Sequence, residues 1–161
     1  MEGRFAAAIE PYRQMLEMDQ ANPMARLFYV WALILDRRFE SVREVLRTAP
    51  ADQRHTLPGR LAHFLASAAA GRSREAAAEL NAEIEALALA TDLFPRLLAQ
   101  GFALAGERDS ALRWLQLAID RGFVNYPFLA CHDPSFEALR GDAAFVALIE
   151  TARRRWLAFE A

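Results

Sequence analysis

A repeated spacing of turn signals is the feature that most constrains the fold of this chain. These signals recur 34, 34 and 35 residues apart, and they begin at Gly3, Arg37, Gly71 and Gly106. Five residues after each turn comes a small or modest apolar residue, namely Ala8, Val42, Ala76 and Ala111. A period of this length over four turns predicts a repeat protein, in which each unit buries its apolar face on its neighbours.

The segments between the turns predict two helices in each unit. Apolar stretches at 24–36, 57–70 and 93–105 each lead into a turn, and a second helical pattern follows the turn. A proline is expected in the first turn of each of these helices, where the missing N–H costs nothing: Pro23, Pro58 and Pro95. Each unit is therefore predicted to be a helical hairpin, with small residues after the turn that let its helices approach closely.

The composition agrees with an all-α fold. The chain has 161 residues, of which 33 are Ala and 22 are Leu, whereas Val, Ile and Thr together number only 14. A net charge of −2 gives no general attraction to nucleic acid. One cysteine, Cys131, fits a reducing compartment. Without a secretory signal or a stretch long enough to span a bilayer, we expect a soluble, cytoplasmic protein that binds neither nucleic acid nor membrane.

The 34-residue period and the stretch from Gly3 through Tyr12 to Pro23 resemble the tetratricopeptide repeat family, over roughly residues 1–122. The resemblance implies a right-handed superhelix of antiparallel helical hairpins, an α-solenoid. Its expected parts are a half repeat at 1–22, repeats at 23–56, 57–91 and 92–122, and a C-terminal capping segment at 123–161. Two departures are Arg37 in place of Gly and Ser73 in place of an aromatic residue. The second helix of the third repeat is expected to extend to about Ala90.

The two ends of the array give different expectations. The first helix, at 5–18, has an apolar stripe but no preceding helix, so we expect either a longer parent protein or a second copy that covers it. At the other end, we expect Gly122 to adopt a left-handed conformation, and Asp133 and Asp142 to cap the closing helices. This closing block resembles one that follows tetratricopeptide repeats in large bacterial signalling proteins, which implies a regulatory setting.

The sequence offers little support for catalysis or metal binding. Cys131, His132 and Asp133 could supply a nucleophile, a base and an orienting acid, but consecutive side chains point in different directions. We expect instead that Asp133 caps a helix, Cys131 is buried and His132 is exposed. His55 and His63 lack companions at metal-ligand spacing, and no phosphate-binding loop occurs. We therefore expect neither an enzyme nor a cofactor.

The resemblance places a concave groove along the first helix of each hairpin. The groove residues would be Leu27, Trp31 and Ile34, then Leu61, Leu65 and Ala68, then Arg96, Gln100 and Ala103. Trp31 would be the anchor for a peptide or a partner helix. Among these positions, only Arg96 with Gln100 could hold an acidic group. Packing of Trp31 and its neighbours against the next hairpin is the alternative.

The functional prediction is a non-catalytic scaffold that binds a partner protein or peptide in this groove. Homodimerisation of a larger signalling protein, through the first helix or the groove, is the alternative. A third possibility, an enzyme that uses Cys131 and His132, depends on an activated thiolate.

Overall fold

The computed structural model describes residues 4–91 and 93–160, and within them it is helical without a strand. The all-α prediction is therefore confirmed. The α-helices are α1 (Phe5–Met18), α2 (Pro23–Leu35), α3 (Phe39–Arg47), α4 (Leu57–Ala69), α5 (Ser73–Ala78), α6 (Ala82–Leu89), α7 (Phe94–Leu104), α8 (Arg108–Asp120) and α9 (Ala143–Glu160). Short 3-10 segments occur at Ala51–His55 and Pro134–Leu139, and a π-helical turn at Phe128–His132.

The described residues form two compact units. The N-terminal unit covers 4–87 and the C-terminal unit begins at Ala88, so the boundary falls within α6. In the N-terminal unit α2 packs against α1, α3 and α4, and α4 packs against α5. In the C-terminal unit α8 packs against α7 and α9. Helices joined by short turns pack on each other in both units, which is the arrangement of helical hairpins.

Side-chain caps begin the first helix of two hairpins, at the helix starts that the prolines predict. Asn22 Oδ1 accepts hydrogen bonds from the backbone N–H groups of Met24 (3.0 Å) and Ala25 (3.2 Å) at the start of α2. Thr56 Oγ1 accepts one from Gly59 N–H (3.2 Å) at the start of α4. A proline lies in the first turn of α2, α4 and α7. These caps satisfy N–H groups that the helix itself leaves unbonded.

The turns inside the hairpins share one backbone conformation. Gly71 and Gly106 have φ of 72° and 77°, and Arg37 has φ of 58° at the equivalent position. Gly122, which ends α8, has φ of 101°, so its predicted left-handed conformation is confirmed. Arg37 is the one non-glycine residue with positive φ in the described part of the chain. The repeat keeps its turn geometry there although the side chain opposes it.

The residues five positions after each turn lie on the inner side of the second helix of their hairpins. Val42, Ala76 and Ala111 are all buried. Ala8, at the corresponding position of α1, is half-buried. The period read from the sequence therefore marks positions that face the interior of the hairpins, with Ala8 only half-buried.

The prediction of one long second helix in the third repeat is wrong, because α5 ends at Ala78 and a separate helix, α6, begins at Ala82. Arg60 donates to the carbonyl oxygens of Glu79 (Nε, 2.7 Å) and Ala78 (Nη2, 3.2 Å) at the end of α5. Arg54 binds the Glu79 carboxylate with both terminal nitrogens (2.7 and 2.5 Å). Asn81 Oδ1 then caps α6 by accepting from Ile84 N–H (2.8 Å). Two arginines from the preceding segments therefore end α5 early.

The closing segment of the C-terminal unit has the predicted caps. Asp133 Oδ1 accepts from Ser135 N–H (3.0 Å), and Asp142 Oδ1 accepts from the N–H groups of Ala144 (2.8 Å) and Phe145 (3.1 Å). Arg108 at the start of α8 pairs with Asp142 (2.6 Å). These contacts fix the start of α9 against the α7–α8 hairpin.

Candidate functional site

The predicted groove residues of the N-terminal unit are interior side chains. Leu27, Trp31 and Ile34 of α2 are all buried, and only 6% of the surface of Trp31 is accessible to solvent. Leu61, Leu65 and Ala68 of α4 are buried as well. The helical stripes were therefore located correctly, but burial favours the packing alternative for these residues. Their role as partner contacts stays a prediction.

Arg96 and Gln100 of α7 lie beside an acidic group of this chain itself. Gln100 Nε2 donates to Asp133 Oδ2 at 2.6 Å, and the Arg96 guanidinium lies 4.7 Å from the centre of the Phe123 ring. All three polar side chains are buried, as is Ala103 on the same helix. Burial raises the pKa of the Asp133 carboxyl, while the bonds from Gln100 and Ser135 and the charge of Arg96 oppose the rise. This cluster ties the closing segment to α7.

The Cys131, His132 and Asp133 side chains do not form a catalytic cluster. Cys131 is exposed, which corrects the expectation that it is buried, and His132 is exposed as expected. Asp133 is completely buried and its carboxylate bonds Gln100 and Ser135. The acid is therefore turned into the core, away from the two residues that it would have to orient.

An apolar groove lies between α3, α4 and the start of α5, and we call it the α3/α4 groove. It has a volume of about 220 Å³. Its lining residues are Phe39, Val42, Arg43, Leu46, Ala66, Ala69, Ala70 and Arg72. Phe39 forms an exposed lip, with 43% of its surface accessible. The three alanines have short side chains, which leave space on the α4 side of the groove for an apolar side chain of a partner.

A second, more polar cavity lies at the C-terminal end of α1 and the N-terminal end of α2. Its volume is about 350 Å³. Its lining residues are Arg13, Leu16, Glu17, Gln20, Arg26, Tyr29 and Thr48, and we call it the Arg26 cavity. Arg26 is only 5% exposed. The sequence reasoning missed this site, although an arginine inside the otherwise apolar 24–36 stretch was a signal for it.

Arg26 connects three neighbouring segments through neutral acceptors. Its Nε donates to Gln53 Oε1 (3.1 Å), Nη1 to the Val45 carbonyl (2.9 Å) and Nη2 to the Gln20 carbonyl (3.1 Å). Gln53 Nε2 donates to the same Gln20 carbonyl (3.1 Å). The end of α3, the loop before α2 and the 3-10 segment before α4 are thereby held together.

His63 lies near the ion pair between Arg54 and Glu79 at the end of α5. Burial lowers the pKa of its imidazole, and the charge of Arg54 lowers it further against the opposing effect of Glu79. Among the residues that the structure describes, no group of three or more His, Cys, Asp or Glu side chains could hold a metal ion. Across the same residues, no helix has both the length and the apolar character needed to cross a membrane.

Comparison with known proteins supports the class that the repeat and the hairpins define. Residues 1–60 match the model of the tetratricopeptide repeat family. That range contains α1, α2, α3 and the beginning of α4. The fold is thus an all-α, tetratricopeptide-like helical repeat, of a class that generally mediates protein–protein interaction. Neither a curated protein nor a solved structure matches the chain.

Proposed function

We propose that the chain is a non-catalytic interaction module of the tetratricopeptide type, which binds a partner protein or peptide as part of a larger bacterial regulatory protein. The match over residues 1–60 supports the general role. The α3/α4 groove, which is apolar, accessible and formed between helices of the N-terminal unit, is the observation that carries the proposal.

The dimensions of the α3/α4 groove suit one or two side chains of a polypeptide. Small-molecule sites usually have volumes of about 300–1,000 Å³. The groove, at about 220 Å³, is smaller than that. Phe39 offers an aromatic surface beside the opening, and aromatic residues contribute strongly to protein interfaces. Arg43 and Arg72 lie at its sides, so an acidic residue next to the inserted apolar side chain would find a cation.

This placement moves the proposed contact away from the concave groove that the sequence predicts. Leu27, Trp31, Leu61 and Leu65 are core residues of the N-terminal unit, and a partner would have to displace helices to reach them. The exposed lip at Phe39 needs no such opening.

A peptide-display experiment tests the proposal. A library of random peptides is selected against the whole chain, and the enriched peptides are then titrated against two variants. Ala69→Trp fills the α3/α4 groove, whereas Ala147→Trp places the same bulk on an exposed position of α9. We expect at least about tenfold weaker binding for Ala69→Trp, since a hot-spot side chain is worth about 2 kcal/mol or more. We expect unchanged binding for Ala147→Trp.

Two results would contradict the groove assignment. The first is that no peptide is enriched above the background of an unrelated helical protein. The second is that enriched peptides bind Ala69→Trp as tightly as the unmodified chain. Circular dichroism of both variants checks that the helices remain folded.

Homodimerisation is the second candidate, favoured by exposed methionines at the end of α1. Met18 is 88% exposed and Met15 is 36% exposed, although both are large and apolar. Sedimentation velocity over a hundredfold dilution tests this candidate. A dimer that dissociates on dilution, and more readily after Met15→Gln with Met18→Gln, would support it. A monomer at every concentration would rule it out.

A further inference from the structure

The Arg26 cavity contains a buried positive charge without an opposite charge beside it. The three hydrogen bonds of Arg26 all go to neutral oxygens, two carbonyls and one amide. Arg26 makes no ion pair with any residue between 4–91 or 93–160, and burial lowers its pKa with no opposing contribution from an acid. A guanidinium nevertheless stays protonated in proteins. Burying such a charge is costly unless an anion accompanies it.

Arg26 also retains donors that the protein does not use. A guanidinium has five N–H groups, and three of those of Arg26 make the hydrogen bonds given above. Tyr29, which lines the same cavity, makes no side-chain hydrogen bond within the described part of the chain. A ligand that accepts hydrogen bonds could therefore bind here without displacing an existing contact of Arg26 or Tyr29.

The charges around the cavity favour an anion. Arg13 and Arg26 are the cations in its lining and Glu17 is the acid, so the lining carries a net positive charge. Glu17 is already paired with Arg13 along α1. Arg13 also binds Glu10 (2.6 Å) outside the cavity. These exposed pairs are weak, so Arg13 can turn toward an entering anion at little cost.

We propose that the Arg26 cavity binds a carboxylate group, either as a small free acid or as an acidic side chain of a peptide. The planar fork of a guanidinium matches the two oxygens of a carboxylate, and such pairs are stronger than neutral hydrogen bonds. The volume of about 350 Å³ admits a short acid together with its first methylene groups, beside Leu16. This site is separate from the α3/α4 groove, and the proposal does not depend on the proposed function.

The first experiment measures thermal stability of the whole chain against increasing sodium acetate, with sodium chloride at the same ionic strength as the reference. A ligand that binds the folded state raises the melting temperature, by about 3–6 °C at ten times its dissociation constant for a chain of this size. A second arm uses an end-blocked diglutamate peptide, which presents the same group on a polypeptide. A third arm uses sodium phosphate. A saturable rise with acetate or with the peptide supports the proposal, and the arm that saturates first identifies the source.

Charge variants at the edge of the cavity give opposite expected effects. Glu17→Gln removes the opposing acid and should tighten carboxylate binding severalfold, whereas Arg13→Gln should weaken it severalfold. The matched controls are Glu150→Gln and Arg153→Gln, which remove the members of a similarly exposed pair on α9. The controls should leave the apparent dissociation constant unchanged. Both cavity variants alter exposed or half-exposed residues, so the fold should be retained.

The proposal is overturned by any of three outcomes. One is a melting temperature that rises no more with acetate or the peptide than with chloride. Another is a rise with phosphate alone, because that would assign a different anion to the cavity. The last is an affinity for carboxylate that Glu17→Gln and Arg13→Gln change no more than their controls do, since a bound group in this cavity must feel both charges.

Discussion

Gly59 is a position where a single added methyl group should clash directly with the neighbouring backbone. A Cβ at residue 59 would lie 1.9 Å from the Gln53 carbonyl oxygen and 3.0 Å from its carbon. Ordinary contact begins near 3.4 Å. The 3-10 segment or the first turn of α4 must therefore move by more than one ångström in Gly59→Ala. The nearest opposing atoms belong to the backbone, so no flexible side chain can move to relieve the clash.

The displaced carbonyl has two hydrogen bonds to lose. Gln53 O accepts from the Thr56 backbone N–H (3.1 Å) and from Thr56 Oγ1 (2.8 Å). Each hydrogen bond contributes about 1 kcal/mol, and the Thr56 cap of α4 about another 1 kcal/mol. The higher helix propensity of Ala returns up to about 1 kcal/mol. We therefore expect a loss of about 2 kcal/mol, which lowers the melting temperature by roughly 4–8 °C in a chain of this length.

Thermal melts followed by circular dichroism test this expectation, with Gly141→Ala as the matched control. A Cβ at residue 141 meets no atom within 4 Å and the residue has no positive φ, so this variant should melt within about 2 °C of the unmodified chain. If Gly59→Ala also melted within that margin, the close approach of α4 to the 3-10 segment would not be a constraint on the fold.

Three further predictions concern the turns and the core. Gly106→Ala should destabilise the chain by about 1 kcal/mol in urea unfolding, because φ of 77° strains a side chain although there is room for it; equal stability to the unmodified chain would contradict this. Trp31→Ala should cost about 3–5 kcal/mol, and a loss below about 1 kcal/mol would instead favour the predicted partner-binding role. The pKa of Asp133 is raised in the folded chain, so its protonated carboxyl favours folding. This contribution to the free energy of unfolding is complete below the unfolded pKa and is lost as the pH rises through the folded pKa. The stability of the unmodified chain relative to Asp133→Asn should therefore fall with rising pH, by up to about 1.4 kcal/mol per pH unit between the two pKa values, and a pH-independent difference in urea midpoints would refute it.

Local features of the fold were accessible from the sequence because each depends on residues close together in the chain. Asn22 and Thr56 cap helices within three residues of themselves. The left-handed turns at Gly71 and Gly106 follow from the absence of a Cβ, and the period alone located Arg37 at the same kind of turn. Helix-forming Ala and Leu determine that these segments are helical almost wherever they are placed.

The break after α5 shows where local reasoning failed. Residues 73–90 are rich in helix-forming Ala and Glu, and they predict one continuous helix. Arg54 and Arg60, about 20 residues earlier, bind Glu79 and the last carbonyl groups of α5, and these contacts favour an end to the helix there. Local propensity differs by well under 1 kcal/mol per residue, so a few charged hydrogen bonds can outweigh it.

The candidate sites depended still more on the tertiary structure. The periodicity located the stripe of Leu27 and Trp31, but it cannot tell a stripe that lines a groove from one that other helices cover, since both need apolar residues at the same spacing. Only packing decided that this stripe is buried and that Phe39 remains accessible.

The sequence by itself determined that this chain forms helical hairpins with a 34-residue period, because helix propensity, caps and turn glycines act over a few residues. The tertiary structure alone decided which surfaces remain open and which charges face each other. Arg26 illustrates the reason: its buried state arises from Gln20, Val45 and Gln53, which are up to 27 residues away along the chain. Such contacts exist only once the hairpins have packed.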